Sequence, residues 1–451
     1  MLIPLVDIAL VCIVLASFVF GLRAGMASFI IIRPLCDRLF DLARFDVAGH
    51  ALSYGAAMNF IVIAVAILNF RRINRSVPPG LRFIWMPFLV ITAVAVLYSP
   101  LKIDASRVWL TYVSFYSMFA LSFVVVKSED DALLFLKLIV FSSVFPVLYG
   151  FFQILSGVDW SADARVASTF PHPNILAIYL VTVVGVILFL MATNRIQIGT
   201  RLKLFLTVYL IPVLVIVVMT KTRSAWIACC FLFLVYGLTY DRRVLVGVAF
   251  VPLLALAIPA ISDRLMDLEQ HSAYIGGPAV LLNSYAWRQL LWDSAFSYIW
   301  ERPIFGYGLR SFPFHSVFFF WPAAGTYAHN DFIAVLFETG FVGLLAFVWI
   351  FLCCFAWLFR RWRFDRPRLS IIAAVIMAYL ICSYSDNVLE YLTCQWSFWF
   401  VIGAVCSHFA HKALRTGTVE RGPGLVSCAN LIGDSRPFRG EGINASAKPE
   451  F

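Results

Sequence analysis

The chain has 451 residues, 62% of them hydrophobic and 13% charged, with a formal net charge of +10. Soluble domains are nearer half apolar and a quarter charged. The mean hydropathy of +0.88 therefore excludes a water-soluble enzyme and points to a polytopic helical membrane protein. The positive excess reads as cytoplasmic loops, with no nucleic acid as partner.

Apolar runs predict about twelve transmembrane helices, near 3–20, 50–70, 83–99, 108–126, 133–156, 174–192, 203–220, 225–240, 244–261, 331–358, 370–387 and 391–408. The first has no convincing small-residue cleavage site after it and reads as an uncleaved helix. The interval 21–49, with Arg33-Pro34, Asp37, Arg38, Asp41 and Arg44, reads as an interfacial or re-entrant element. The fold class is thus all-α polytopic, a transmembrane domain over 1–408 with a disordered cytoplasmic tail over 409–451. With both termini placed on one side, the loops there carry 22 of the 35 Lys and Arg, against 13 in the longer loops opposite. The richer set is cytoplasmic by the positive-inside rule, so the longest loop, 262–330, faces the periplasm.

That loop has apolar and aromatic residues at 287, 291, 295, 298 and 299, predicting a helix over Tyr285–Trp300 that puts Arg288 and Trp292 on one face. Glu301-Arg302-Pro303 ends it and Gly306-Tyr307-Gly308 makes a turn. His329 and Asn330 immediately precede the apolar run Phe332–Leu358, with Asn330 or Asp331 as its N-cap. A histidine at a helix N-terminus near an arginine helix suits binding an anion and moving a proton.

Three outward arginines stand at junctions: Arg165 before Phe170-Pro171-His172-Pro173-Asn174, Arg223 in Thr222-Arg223-Ser224-Ala225-Trp226, and Arg288. Singly, each reads most simply as snorkelling to headgroups. Together they suggest one anion site, because a guanidinium forks onto phosphate oxygens and stays charged. The outward loops have no Asp-x-Asp pair to hold a metal, and Asp130-Asp131 is cytoplasmic. The ten cysteines form no CxxC or Cys/His cluster, so neither zinc nor a disulfide framework is indicated. His329 is the candidate proton acceptor, its plain alternative being a histidine that satisfies loop backbone. His172 reads as structural and His315 as packed among phenylalanines. Glu338, two turns into a span, is a functional candidate by default, orienting a loop or His329.

Taken in order, these stretches resemble the bacterial O-antigen ligase and O-antigen polymerase membrane proteins. The likeness covers about 165–345: Arg165 through Asn174, then Thr222-Arg223-Ser224-Ala225-Trp226. Next come Arg288-x-x-x-Trp292 with Arg302-Pro303-x-x-Gly306-Tyr307-Gly308, and His329-Asn330-Asp331 with Glu338-x-Gly340-x-x-Gly343. Ser224 departs from the family's usual glycine. The resemblance implies a GT-C-like, metal-independent, inverting glycosyltransferase of the inner membrane, without a cofactor. Its donor would be an undecaprenyl-diphosphate-linked oligosaccharide and its acceptor a second glycan or the lipid A core. Membrane lipids and other polysaccharide assembly proteins are the further expected partners. His329, Arg288 and Arg223 are the implied catalytic residues. Arg165, Asn174, Trp292, Asn330 and Glu338 are the implied substrate contacts. A polymerase is favoured slightly over a ligase. A flippase or transporter is the reading from another class, and no inverted repeat supports it.

Overall fold

A computed structural model describes residues 2–42, 44–47, 50–157, 165–257, 284–320 and 323–415. The helices of its first half are α1 Leu2–Ser17, α2 Leu22–Leu35, α3 Asp37–Leu42, α4 Tyr54–Leu68, α5 Phe70–Ser76, α6 Pro79–Leu97, α7 Lys102–Val125 and α8 Glu129–Ser156. A hairpin, β1 Arg44–Val47 against β2 His50–Ser53, precedes α4. Then come α9 Pro173–Ala192, α10 Thr200–Met219, α11 Arg223–Thr239, α12 Arg243–Ala257, α13 Ser284–Glu301, α14 Ser311–Phe319, α15 Asp331–Arg360, α16 Arg366–Ser385 and α17 Leu392–Arg415. Every apolar run of the sequence is thus a helix. Among the described residues, seven helices are long and apolar enough to cross a membrane, and α4 with α5, bent by 71° at their junction, makes an eighth. Helices α1 and α11 are apolar but shorter.

The bundle is organised around α9. It is apolar all round and buried at every position from Pro173 to Leu190, as a helix enclosed by other helices must be. Helices α10, α11 and α16 pack along it, and α11 and α16 pack along each other. A second, smaller apolar core holds Leu291, Trp292, Ala295, Ile299, Tyr307 and Phe337, among α13, α14 and the start of α15.

Polar contacts mark two ends of the bundle. At one, Arg368 binds Glu129 at 2.7 Å and Asp365 at 2.6 Å. At the other, the backbone amide of His329 donates to Asn387 Oδ1 at 2.8 Å.

The interval 21–49 departs from the expectation of a surface element. Arg23, at the start of α2, pairs with Asp131 at 2.9 Å, at the Glu129 end. Arg33 Nε donates to Thr393 Oγ1 at 3.1 Å, and the Arg38 amide donates to Thr169 O at 2.9 Å, both at the His329 end. So α2 runs from one end to the other, burying Met26, Phe29 and Ile30 against the bundle. Its low mean hydropathy, with Arg23, Arg33 and Pro34 inside 14 residues, hid this from hydropathy reading. Asp7 lies where its charge acts on Arg33 and Cys36, so α1 is antiparallel to α2. The chain therefore begins near the His329 end and α17 finishes near the Glu129 end, where His408 Nε2 is 3.7 Å from Glu129. Helix α17 also continues through 409–415, residues read as tail. The rest of the tail, 416–451, and the first part of the large loop, 258–283, lie outside the described residues.

Candidate functional site

His329 sits on a left-handed backbone, φ 48°. Only glycine adopts that region freely, and other residues pay roughly 1–3 kcal/mol to be held there. Its surroundings impose it. The His329 amide is anchored on Asn387, and the carbonyl of the preceding Ala328 accepts from Trp292 Nε1 at 2.7 Å. Trp292 is thus placed to hold the backbone. The Trp287 ring meets the imidazole edge-on, centroids 5.4 Å apart.

Asn330 is the N-cap of α15, its Oδ1 accepting from the amides of Phe332 at 2.9 Å and Ile333 at 3.1 Å. Asp331 is buried behind it, taking the Leu389 amide on both carboxylate oxygens at 3.2 Å. These contacts revise the expected anion site. The first free amides of the helix are already capped, and an acid stands at its first position. Positive charge for an anion must come from side chains instead.

Behind His329 lies a carboxylate that sequence reasoning missed. Asp386 Oδ1 is 3.7 Å from His329 Nδ1, and the Asp386 side chain is 2% exposed. It accepts from Asn174 Nδ2 at 2.5 Å and from Tyr391 OH at 2.8 Å. Burial alone would push its carboxyl up. The nearby His329 ring and the charge of Arg288 outweigh that and hold it below the usual carboxylate value. Asn174 Oδ1 in turn accepts from Arg165 Nη2 and from Thr222 Oγ1, the latter at 3.1 Å. Arg165 also donates to Thr220 O at 2.7 Å and Thr222 Oγ1 at 3.1 Å. Residues from the 165–174 approach, the 220–222 turn and the 386–391 turn are thus tied into one network. Within it Arg165 and Asn174 face protein partners.

Arg288 differs. It is half-buried on α13, and among the described residues it makes no hydrogen bond or ion pair, yet its charge reaches Asp386. Arg223 opens α11 directly after Thr222, a member of the network. Arg288 and His329 are therefore brought to one carboxylate, and Arg223 to the turn beside it.

Glu338 belongs to a different piece of architecture. Helix α15 kinks at Gly340, φ 65°. The strap Pro303–Gly308 crosses it there: Tyr307 and Gly308 amides donate to Phe337 and Glu338 carbonyls at 3.0 and 2.9 Å, and the Phe341 amide donates to Pro303 O at 2.7 Å. A Cβ on Gly306 would meet Phe337 O at 2.5 Å, so this strap needs glycine. The Glu338 carboxylate accepts from the Phe312 amide at 3.4 Å. That contact is with the loop, one of the two partners expected for it. Arg310, which the sequence did not single out, pairs with Glu390 at 2.7 Å beside a cavity of about 20 Å³, room for about one water.

Asp386 could have been suspected from sequence. It and Glu390 are the charges of a short outward turn with no Lys or Arg, following an apolar run.

The fold and site define a class: a polytopic helical membrane protein with a histidine, a buried carboxylate and a half-buried arginine assembled at one end of the bundle. Residues 208–348 match the family described as O-antigen ligase, which supports assigning the chain to the O-antigen ligase/polymerase family. Members of that family are glycosyltransferase-like enzymes. The matched segment includes Arg223, Arg288, His329 and Glu338 and stops short of Asp386. No curated protein matches the chain.

Proposed function

We propose that the protein transfers an oligosaccharide en bloc from an undecaprenyl-diphosphate carrier to an acceptor hydroxyl at the periplasmic face of the bacterial inner membrane. The observation that carries this is the pairing, on one carboxylate, of a partly exposed histidine with an arginine that makes no hydrogen bond or ion pair among the described residues. The acceptor oxygen attacks the anomeric carbon, and its proton passes to His329. The bond from that carbon to the diphosphate oxygen breaks with its electrons on the diphosphate. One in-line displacement inverts the centre. Arg288 and Arg223 stabilise the charge gathering on the leaving group, the role a metal plays in other transferases. Arg165 and Asn174 serve as positioning residues, holding Asp386 and the Thr222 turn.

The ring of His329 has two neighbours at Nδ1. Asn387 Nδ2 is 3.2 Å away and Asp386 Oδ1 3.7 Å. The Asn387 oxygen is fixed by the His329 amide, so its amide nitrogen aims a donor at Nδ1 and leaves the neutral ring's proton on Nε2. To take a proton at Nε2, the ring must first carry its own at Nδ1, donating to Asp386. Turnover then requires Asn387 to yield and the Asp386 gap to close, as catalytic hydrogen bonds do on substrate binding.

The acceptor decides between polymerase and ligase. Another lipid-linked repeat is our preferred acceptor, making this a polymerase for exopolysaccharide or O-antigen; the lipid A core would make it a ligase. We read the fold as GT-C-like. With α1 and α2 as an antiparallel pair the chain crosses the membrane once more than the twelve times expected, with the C-terminus cytoplasmic and the N-terminus periplasmic. Moving Arg23 to the cytoplasmic side sharpens the Lys and Arg asymmetry.

The test uses full-length protein in lipid nanodiscs, with lipid-linked oligosaccharide from the producing cells and EDTA present. Product length is read on a gel. Elongation by wild type and none by His329→Ala is the expected result. Activity lost in EDTA and restored by Mg²⁺ would overturn the metal-free mechanism.

A further inference from the structure

We infer that a second cavity at the His329 end is a subsite for one sugar ring of the acceptor glycan, an inference that rests on the glycan-transfer reading. The cavity is about 200 Å³ and lies among α2, α3, the beginnings of α4 and α17, and the second and third turns of α7. Pockets for drug-sized ligands run from roughly 300 Å³ upward, so this one suits a single ring.

Its polar lining is unfinished. Asn59 is 9% exposed and lines the cavity. Its amide nitrogen donates to Thr111 Oγ1 at 3.3 Å, while its buried Oδ1 has no hydrogen-bond partner among the described residues. Buried carbonyl oxygens are normally satisfied, and one left open beside a cavity is where a ligand hydroxyl would donate.

Its charges are already balanced. Arg33 is paired with Asp37 at 2.9 Å, and Glu390 with Arg310 at 2.7 Å. Arg223 and Arg288, which suit a diphosphate, are not among its lining residues. A neutral ligand with many hydroxyls fits these walls better than an anion. That describes the sugar end of the reaction and not its leaving group.

The cavity also abuts the reacting network. Tyr391 lines it, and the Tyr391 hydroxyl donates to Asp386 at 2.8 Å. Leu389 and Glu390 line both this cavity and the small one beside Asn387. A ring seated here is separated from the histidine's carboxylate by one side chain.

The experiment keeps full-length protein in nanodiscs with saturating lipid-linked donor. The acceptors are the oligosaccharide released from that donor by mild acid and, separately, rough lipopolysaccharide. Whichever is extended is titrated. Asn59→Leu removes the open oxygen at similar size, and Ala56→Phe fills the cavity from α4. Loss of one neutral hydrogen bond should raise KM for acceptor roughly three- to tenfold in Asn59→Leu, and Ala56→Phe should raise it further. The donor KM and the kcat at saturating acceptor should stay near wild type. An unchanged acceptor KM in both folded variants, or a rise in donor KM instead, overturns the subsite and leaves the transfer reading intact. A wild type that extends neither acceptor nor its own donor overturns the transfer reading itself.

Discussion

Two histidine–carboxylate pairs stand at opposite ends of this bundle with the same spacing. His329 Nδ1 is 3.7 Å from Asp386, and His408 Nε2 is 3.7 Å from Glu129. Their surroundings differ. Around Glu129 the nearby arginine is fully spent: Arg368 bridges Glu129 and Asp365 with its side chain 6% exposed. Around Asp386 the arginine that reaches it makes no hydrogen bond or ion pair among the described residues, and the His329 side chain is 30% exposed. A histidine beside an acid is therefore not itself a site. An unspent cation and an opening make one end able to receive an anionic substrate, while the other end is a staple.

The comparison first requires that the two ends face different compartments, an all-or-none matter. In spheroplasts of a strain whose protein lacks accessible native cysteines, a membrane-impermeant thiol reagent should label Lys102→Cys and not Arg71→Cys. Both positions are exposed, the first at the His329 end and the second at the Glu129 end. A tag fused ahead of Met1 should be digested by external protease. Labelling of the Arg71 position instead would invert the orientation and remove the periplasmic site.

Next in size is the exchange of histidines. Removing a general base typically costs about 10²–10⁴-fold in rate. His329→Ala should lose that much transfer while staying inserted and folded, and His408→Ala should keep near-normal turnover. His329→Gln retains a hydrogen bond without the proton acceptor; if it worked at full rate, His329 would be only a positioning group.

The arginines come after. A contact stabilising charge in the transition state is worth roughly 2–4 kcal/mol, about 30- to 1000-fold. Arg288→Ala should fall in that range, and Arg288→Lys should not rescue it, because lysine lacks the forked geometry. Arg368→Ala should do the opposite, lowering the thermal midpoint by leaving Glu129 and Asp365 unpaired with little change in kcat. Wild-type turnover in Arg288→Ala would erase the distinction between the two ends.

The same contrast explains what could be read from the sequence. Apolar periodicity located the helices, because a lipid-embedded helix announces itself by composition over some twenty residues. Proline after Arg302 and the cap at Asn330 set local boundaries by local chemistry, and both appear where expected. Helix α2 escaped because its charges and Pro34 break the apolar run, and those charges are satisfied by Asp131 and Thr393, far along the chain, as well as by the neighbouring Asp37. Asp386 escaped for the same kind of reason. Its meaning comes from Asn174, 212 positions away, and from His329, 57 positions before it. Arg165 illustrates the converse: its residue type suggested phosphate, and its partners include Asn174 and two threonines brought to it by the fold.

The smallest expected effect concerns the acid limb of stability. Burial favours the protonated Asp386, but the nearby His329 ring and the Arg288 charge prevail and depress its value in the folded protein. A group depressed on folding contributes stability above its unfolded value, about 3.9, and that contribution is lost as pH falls through the folded value. Wild type should therefore lose thermal stability below about pH 4, partly through this group. Asp386→Asn cannot ionise, so its stability should fall less steeply over the same window, even if it starts lower. Because burial opposes the two favourable influences, the difference between the two acid limbs should be small. Scanning fluorimetry of both proteins in detergent between pH 3 and pH 6 measures it. Acid limbs of equal slope would mean that His329 and Arg288 do not hold the carboxylate charged, and the proton path through Asp386 would lose its physical basis.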